Sequence, residues 1–265
     1  VGDRVRISRA GDEGNGAIDE VLPRTSKLAR RGSGEDAREQ VIAANISRVL
    51  IVAAIREPEF QASLVDRILA AAERQELPAS IVLTKLDRDR KGNGARWAEL
   101  YRSIGYEVFV TSVAPGHETE HELEALRELL HTNVTVLSGL SGVGKSSLLN
   151  ALIPGLGLRI GSLGKIRQGK HTTTHTQLIP LPGGGYVLDT PGIRSFGLFA
   201  TDPGELTFYF REMRALRDQC AFRNCSHRDE PDCAIVRAVE NGEIAPSRWE
   251  SYQKLYAELA KAEDV

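Results

Sequence analysis

Residues 134–152 read VTVLSGLSGVGKSSLLNAL, and this stretch decides the fold. It begins with the apolar run Val134–Leu137, continues through the pattern G-x-x-x-x-G-K-S at Gly139–Ser146, and ends in a helix-forming segment. In such a strand–loop–helix unit, glycines let the backbone turn so that its N–H groups face an anion, and the helix N-terminus adds its dipole. The stretch therefore predicts a phosphate-binding loop for a nucleoside triphosphate.

Two side chains of this loop carry predicted chemistry. We expect Lys145 to reach the β- and γ-phosphates and to act in catalysis, and we expect the Ser146 hydroxyl to bind magnesium. The residues predicted to contact the nucleotide here are Gly139, Leu140, Ser141, Gly142, Val143, Gly144, Lys145, Ser146 and Ser147. The alternative is a glycine-rich strand-to-helix turn that contains Lys-Ser by coincidence.

Short apolar segments alternate with helical patterns over much of the chain. The apolar runs are Val49–Ala54, Ser80–Leu83, Glu107–Val110, Val134–Leu137 and Tyr186–Leu188, and the helical stretches are Ser63–Arg74, Arg96–Ile104 and Glu118–Leu130. This alternation predicts an α/β fold in which helices cover both faces of a parallel sheet. We expect three parts: a small β module at residues 1–40, an α/β domain at 41–200 and a mainly helical part at 201–265.

The β module begins with two predicted strands, around Val5–Ile7 and over Ala17–Leu22, joined by a glycine-rich turn. We expect a loop after them and then a linker over residues 32–40. The basic residues of the predicted loop are Arg24, Lys27, Arg30 and Arg31.

Composition limits the classes of function. The 265 residues include 34 Lys and Arg against 36 Asp and Glu, which excludes a globally basic nucleic-acid-binding protein. The longest apolar run, Val49–Ile55, is far shorter than the roughly 20 residues of a membrane helix, so no membrane association is predicted. Three cysteines, all between residues 220 and 233, favour a reduced, cytoplasmic compartment. Val1 in place of Met suggests a trimmed start.

A candidate base-recognition motif follows the second apolar run. Thr84-Lys85-Leu86-Asp87 resembles the N-K-x-D motif that specifies guanine, with Thr84 in place of Asn. The Asp87 carboxylate can accept hydrogen bonds from N1–H and the exocyclic amine of guanine, a pair of donors that adenine lacks. We expect Lys85 to lie along the base, Ser112 to support the base from the next strand end, and Thr84 to tether the loop more weakly than Asn. A charged turn at a strand end is the alternative.

A fourth motif completes the predicted nucleotide site. Asp189-Thr190-Pro191-Gly192 resembles the D-x-P-G motif, in which Asp189 would hold magnesium through water and the Gly192 N–H would sense the γ-phosphate. Most GTPases carry the phosphate loop first and the guanine motif later, whereas here the guanine motif comes first. The order predicts a permuted domain whose motifs still converge at the carboxyl ends of parallel strands.

The segment between Ala151 and Leu188 has no acidic residue. It predicts a switch loop that orders on the γ-phosphate and touches RNA phosphates, with a solvated loop as the alternative. We expect one of Thr172–Thr174, by preference Thr173, to complete the magnesium shell. Ile193 replaces the water-orienting Gln of Ras-like enzymes, so His171 is our hypothesis for that catalytic role. The alternative for His171 is an exposed switch residue or an RNA contact.

A metal site is predicted in the helical part. Cys220, Cys225, His227 and Cys233 have the spacing C-x4-C-x-H-x5-C. Three thiolates and one imidazole suit a closed, structural zinc ion, and three reduced core cysteines beside an unrelated histidine are the alternative. Five arginines surround the cluster in sequence: Arg211, Arg214, Arg217, Arg223 and Arg228. They could form a local basic patch that binds RNA phosphates, and the alternative is a solvated helix face.

The permuted motif order, Gly139–Ser147, Gly169–Thr174, Asp189–Gly192 and the cysteine cluster together resemble the small-ribosomal-subunit-dependent GTPase family (RsgA/YjeQ). The resemblance implies a circularly permuted P-loop GTPase core between an N-terminal OB-type β-barrel and a C-terminal zinc domain. It implies one structural zinc ion per chain, magnesium with GTP or GDP, and a monomer that binds the small ribosomal subunit and its rRNA. The sequence departs from the family pattern in two features: Thr84 replaces Asn in the guanine motif, and the predicted barrel lacks its opening strands.

The activity that the resemblance implies is GTP hydrolysis that is slow alone and stimulated by the small subunit during its late maturation. Composition and motif spacing alone predict a guanine-nucleotide switch with RNA contacts. A second hypothesis is an RNA-binding scaffold whose nucleotide site is structural or vestigial. A third, an ATP-dependent enzyme, is disfavoured by Asp87.

Overall fold

A computed structural model describes residues 1–9, 16–31, 39–153, 155–157, 177–189, 198 and 201–263. The strands are β1 Val5–Arg9, β2 Gly16–Val21, β3 Lys27–Arg31, β4 Glu39–Ala44, β5 Arg48–Ala54, β6 Ala79–Thr84, β7 Glu107–Val110, β8 Val134–Ser138, β9 Gln177–Pro180 and β10 Tyr186–Asp189. The helices are α1 Ala62–Arg74, α2 Asn93–Ser103, α3 Glu120–His131, α4 Lys145–Leu152, α5 Arg211–Arg214, α6 Ala234–Glu240 and α7 Pro246–Glu263. Short 3-10 helices cover Leu86–Arg88, Pro203–Tyr209 and Arg217–Gln219.

Six strands form the central sheet, in the order β7-β6-β5-β8-β10-β9. The five predicted strands are confirmed, and all of them run parallel. The prediction of a wholly parallel sheet is wrong at one edge, because β9 pairs antiparallel with β10. The chain turns back between these two strands at Gly183, Gly184 and Gly185, which all have positive φ, and a tight turn can join only antiparallel neighbours.

Both faces of the sheet are covered, as predicted. Along β5, Val49 and Ile51 point to a core cluster shared with α1, α2 and the C-terminal helices, while Leu50 and Val52 point to a second cluster shared with α3 and α4. This two-sided burial explains why β5 reads as a continuous apolar run.

The N-terminal part consists of two antiparallel hairpins, β1–β2 and β3–β4. The first was predicted, but the loop expected after it ends at Ser26, because β3 begins at Lys27. The predicted domain boundary between residues 40 and 41 falls inside β4. The reason is packing: Leu28 and Ala43 are opposite each other in this hairpin, both are buried, and both belong to the core of the α/β domain.

Residues 201–263 contain helices and loops and no strand, the stretch 220–233 is a loop, and α7 packs against α1. Within the described ranges, no helix is both long enough and apolar enough to cross a membrane.

Candidate functional site: a nucleotide pocket and a metal cluster

The phosphate loop lies between the end of β8 and the start of α4, where the sequence predicts it. At Gly139, with φ 146°, a Cβ atom would lie 2.1 Å from the carbonyl oxygen of Val52 on β5. Gly144 precedes α4 with φ 99°, which L side chains rarely adopt. These two positions explain why glycine is needed where the loop leaves the sheet and where it enters the helix.

Lys145 arches back over the loop. Its Nζ donates hydrogen bonds to the carbonyl oxygens of Gly139, at 2.8 Å, and Leu140, at 2.7 Å. Ser146 is buried at the first turn of α4. The ammonium and the first turn of the helix therefore face the same small space, and an anion there would be attracted by both.

Thr84 and Lys85 connect the candidate guanine motif to the phosphate loop. The Thr84 Oγ1 donates to the carbonyl oxygen of Val143 at 2.5 Å, and the Lys85 Nζ donates to that of Gly142 at 2.7 Å and to that of Glu57. Burial lowers the pKa of Lys85, and the Asp87 carboxylate opposes this change. We expected a weaker tether from Thr84 than from Asn, yet the hydroxyl makes a direct bond to the phosphate loop.

Asp87 is oriented by the loop that follows β7. Ser112 Oγ donates a hydrogen bond of 2.9 Å to Asp87 Oδ1, and the Leu86 N–H donates to the carbonyl oxygen of Thr111 at 3.1 Å. Ser112 thus holds one carboxylate oxygen, and the other, Oδ2, lies 3.7 Å from the Nε atom of Arg88. The sequence predicts both Asp87 and Ser112 at this position, and the structure brings them together.

A cavity of about 680 Å³ lies beside the metal cluster, and a second of about 440 Å³ joins the guanine motif to the phosphate loop. The walls of the second cavity include Thr84, Lys85, Asp87, Gly144 and Ser147, all predicted nucleotide contacts. Sequence reasoning missed Asn150, which lies one helical turn beyond Ser147 and also lines it. No motif marks Asn150, since its place depends only on the helical spacing of α4.

Other predicted residues lie at the margin of the described chain. The backbone of Asp189 is at the end of β10, opposite Leu137 of β8, so it is adjacent to the start of the phosphate loop. The side chain of Asp189 and the whole of His171, Thr173 and Gly192 are outside the described residues.

The four predicted metal ligands converge. The Nδ1 atom of His227 lies 3.4 Å from the Sγ of Cys220 and 3.6 Å from that of Cys233, and these two sulfurs are 3.9 Å apart. With Cys225, the four ligand atoms lie within 4.8 Å of one another. Such distances are the edges of a tetrahedron around an ion about 2.0–2.3 Å from each ligand, so the cluster could hold a metal ion.

Burial sets the protonation of this cluster. It raises the pKa of Cys225 to about 12 and lowers that of His227. A neutral imidazole is ready to ligate, whereas the thiols need a cation to supply the charge that keeps them deprotonated.

Side chains outside the cluster hold its loop in place. Glu230 accepts hydrogen bonds from the backbone N–H groups of Ser226, at 2.6 Å, and Arg228, at 3.1 Å. From α7, the Trp249 Nε1–H donates to the carbonyl oxygen of His227 at 3.0 Å. The loop that carries the candidate metal ligands therefore packs against α7.

Two of the five arginines of the predicted basic patch serve the packing of the fold. Arg211 and Arg214 both pair with Glu73 of α1, at 2.6 Å and 2.8 Å. The single Glu73 carboxylate offsets one of these two positive charges at the contact between the helical part and the α/β domain. Arg223, by contrast, is exposed and has no acidic partner among the described residues.

The fold and loop order define the class of this protein, a circularly permuted P-loop GTPase. The family model "RsgA GTPase" matches residues 21–199. The chain is 43% identical to the small ribosomal subunit biogenesis GTPase RsgA of Gemmatimonas aurantiaca, over 98% of this chain and 84% of the relative. It is 41% identical to the protein of the same name from Chlorobaculum tepidum, over 98% and 85%.

Solved structures agree with this classification. YjeQ from Thermotoga maritima superposes with a TM-score of 0.78 at 38% identity, covering 98% of this chain and 84% of that one. YloQ, described as a circularly permuted GTPase, gives 0.74 at 31% identity, covering 99% and 81%. The chain therefore belongs to the RsgA GTPase family and is a GTP hydrolase.

Proposed function

We propose that this chain is a GTP-dependent switch in the late maturation of the small ribosomal subunit, slow in hydrolysis alone and stimulated by that subunit. The observation that supports the proposal is the cavity lined by Asp87 on one side and by Gly144 and Ser147 of the phosphate loop on the other, where we place the guanine nucleotide. The relatives quoted above are named for small ribosomal subunit biogenesis, and we extend that role to this chain.

The proposed roles follow the geometry. Asp87 accepts hydrogen bonds from guanine, and Ser112 fixes the carboxylate that does so. Lys145 leaves its two carbonyl partners for the β- and γ-phosphates, where its charge stabilises the transition state.

Magnesium fits the oxygen donors that the motifs supply, namely the hydroxyls of Ser146 and Thr173 and, through water, the Asp189 carboxylate. When bound, the ion neutralises charge on the phosphates. Gly192 would sense the γ-phosphate, and His171 would orient the attacking water.

The flanking parts are proposed to bind RNA. Residues 1–40 would form part of an OB-type module, and residues 201–265 a domain held by one structural zinc ion on Cys220, Cys225, His227 and Cys233. The thiolate and imidazole donors suit zinc, and a set of four protein ligands suits a closed structural site rather than a catalytic one. We further propose a cytoplasmic monomer whose partner on the subunit is rRNA.

GTP turnover by the purified chain, alone and with small ribosomal subunits at fixed salt, tests the proposal. We expect strong stimulation by the subunits and a loss of about 100-fold or more in Lys145→Ala. Lys91→Ala is the matched control, because Lys91 is exposed and lies outside the cavity. Tight GTP binding without stimulation would instead support an RNA-binding scaffold.

The role of His171 has its own test. His171→Ala should retain GTP affinity and lose about 100-fold or more of the stimulated turnover, since a positioned general base contributes about that much. His121→Ala, on the exposed face of α3, is the control. Undiminished stimulated turnover in His171→Ala would discard the assignment.

A further inference from the structure

The loop between the first two metal ligands presents three consecutive exposed side chains of different chemistry. Phe222, Arg223 and Asn224 lie between Cys220 and Cys225, and Phe222 is 48% exposed. Among the described residues, no aromatic ring stacks on Phe222, and neither Arg223 nor Asn224 has a side-chain hydrogen bond or an ion pair. We call Phe222–Asn224 the knuckle tip.

Neighbouring aromatic rings, unlike Phe222, are already covered by cations. The Arg217 guanidinium lies 3.7 Å from the centre of the Phe208 ring, and that of Arg228 lies 4.6 Å from the centre of the Tyr256 ring. Among the described residues, no guanidinium group lies over the face of the Phe222 ring. A flat, polarisable partner could cover Phe222.

The knuckle tip borders the cavity of about 680 Å³ beside the metal cluster, a volume within the range of about 300–1,000 Å³ seen for ligand sites. Phe222, Arg223 and Asn224 all line it, together with Arg217 and Tyr256. Three of the candidate metal ligands, Cys220, Cys225 and His227, also line it, so part of the cavity volume is the metal site itself. Two acids line it as well, and both are engaged: Asp202 accepts a hydrogen bond from the Gly204 N–H, and Asp218 is 4.0 Å from Arg217. Arg223 is thus the cation left over for an anionic ligand.

We propose that the knuckle tip binds one unpaired nucleotide of a single-stranded RNA segment. Phe222 stacks on the base, Arg223 contacts the adjacent phosphate, and the Asn224 amide, which both donates and accepts, meets the base edge. The assignment deepens the proposed function, on which it rests, by placing an RNA contact on named residues. RNA is favoured over a peptide because aromatic face, cation and amide match the three parts of a nucleotide.

A metal ion held by the cluster would explain how an exposed loop can bind a nucleotide. Cys220 and Cys225 fix both ends of the loop, and Trp249 and Glu230 brace the next turn, so the aromatic side chain is presented with little backbone freedom to lose on binding.

The test is fluorescence anisotropy of zinc-loaded full chain with labelled single-stranded oligo(A) and oligo(U) RNA about 12 nucleotides long. Phe222→Ala should weaken binding about 5- to 150-fold, and Phe222→Tyr should retain it. Arg223→Ala should weaken binding to both RNAs and lower the salt slope by about 1, whereas Asn224→Ala should reduce the difference between them. Zinc content of each variant verifies that the cluster is intact.

Two matched controls are available elsewhere on the surface. Tyr186→Ala removes an aromatic side chain that is 42% exposed, and Arg96→Ala removes an exposed arginine of α2. Both variants should bind RNA like the wild type. If they weaken binding as much as the knuckle-tip variants do, the contact is non-specific and the proposal is wrong.

Three results would overturn the inference. They are the absence of RNA binding by the wild type at low salt, equal RNA binding by Phe222→Ala and the wild type, and a loss of affinity for small subunits in Phe222→Ala without a loss for RNA. The last would indicate a protein partner. Failure of the proposed function gives a distinct result. Small subunits would then not stimulate GTP turnover by the wild type, regardless of how tightly the oligonucleotides bind.

Discussion

Arg248 of α7 and Asp66 of α1 form an ion pair of 2.6 Å in which neither side chain is more than 1% exposed. Glu212 also bonds to the Arg248 guanidinium at 2.6 Å, and the Tyr101 hydroxyl donates to Asp66 at 2.8 Å. Burial raises the pKa of Asp66, and Arg248 opposes this rise. The helical C-terminal part is therefore joined to the α/β domain through a charged network that water does not reach.

Replacing Arg248 with Met should destabilise the chain by about 3–5 kcal/mol, because two buried carboxylates lose their cation. The free energy of unfolding, from denaturant titration, measures the effect. Arg6→Met is the control: the Arg6–Glu20 pair is exposed, and its loss should cost less than about 1 kcal/mol.

Adding Asp66→Asn to Arg248→Met should recover part of that stability, since the substitution removes one of the unpaired charges. Equal effects of Arg248→Met and Arg6→Met on unfolding would show that the buried network contributes little.

Asp87→Ala should lower GDP affinity by about 100-fold or more, because two charge-assisted hydrogen bonds to guanine are lost. ATP affinity should stay low and unchanged. Competition against a fluorescent guanine nucleotide measures both. Glu99→Ala on the exposed face of α2 is the matched control, and a similar loss there, or none in Asp87→Ala, would refute the base contact.

Cys225→Ser should reduce bound zinc from one ion per chain to nearly none, because a hydroxyl is a poor ligand where a thiolate is needed. Metal analysis of the purified protein gives the stoichiometry, and thermal unfolding should show a less stable C-terminal part. Ala221→Ser, one residue from Cys220 and exposed, should keep its zinc. Full zinc content in Cys225→Ser would remove Cys225 from the ligand set.

Asp89 should make stability depend on pH in the acid range. Burial would raise the pKa of Asp89, but hydrogen bonds from the backbone N–H groups of Gly94, at 2.7 Å, and Asn93, at 3.0 Å, outweigh it and hold the pKa below 3.8. The folded-state pKa is the lower one, so the contribution of Asp89 is present above pH 3.8 and is lost as pH falls below it.

The difference in melting temperature between the wild type and Asp89→Asn, measured at each pH, isolates this contribution. We expect the wild type to be more stable at neutral pH and the difference to shrink towards pH 3. A difference in melting temperature that stays constant through the acid range would show that Asp89 makes no such contribution.

Sequence reasoning succeeded where the signal is local. The phosphate loop, the strands beside it and the metal ligands are each marked by residues close together in the chain, although α4 begins at Lys145, two residues before the helical stretch that the sequence predicts. It failed where a position depends on distant residues. In the hairpin of β3 and β4, Leu28 and Ala43 are buried opposite each other, and a basic stretch such as Lys27–Arg31 has no local sign of this.

Arg248 shows the same limit at a single residue. Arginine in a helix is usually solvated, and nothing near Arg248 in the chain indicates burial. Its partners are 36 and 182 residues away, at Glu212 and Asp66, so only the assembled fold brings them together. The edge strand β9 is a different case, because three successive glycines at 183–185 did mark the turn that folds it back.

The order of the motifs also has a consequence for synthesis. Strands β5, β6 and β7 adjoin one another in the sheet and carry the guanine pocket, and all three precede the phosphate loop in the chain. Since synthesis runs from the N-terminus, the base-binding half of the site is made before the triphosphate-binding half. A nucleotide can engage both halves only after β8 has inserted beside β5, so occupancy of both halves reports that β8 is in place.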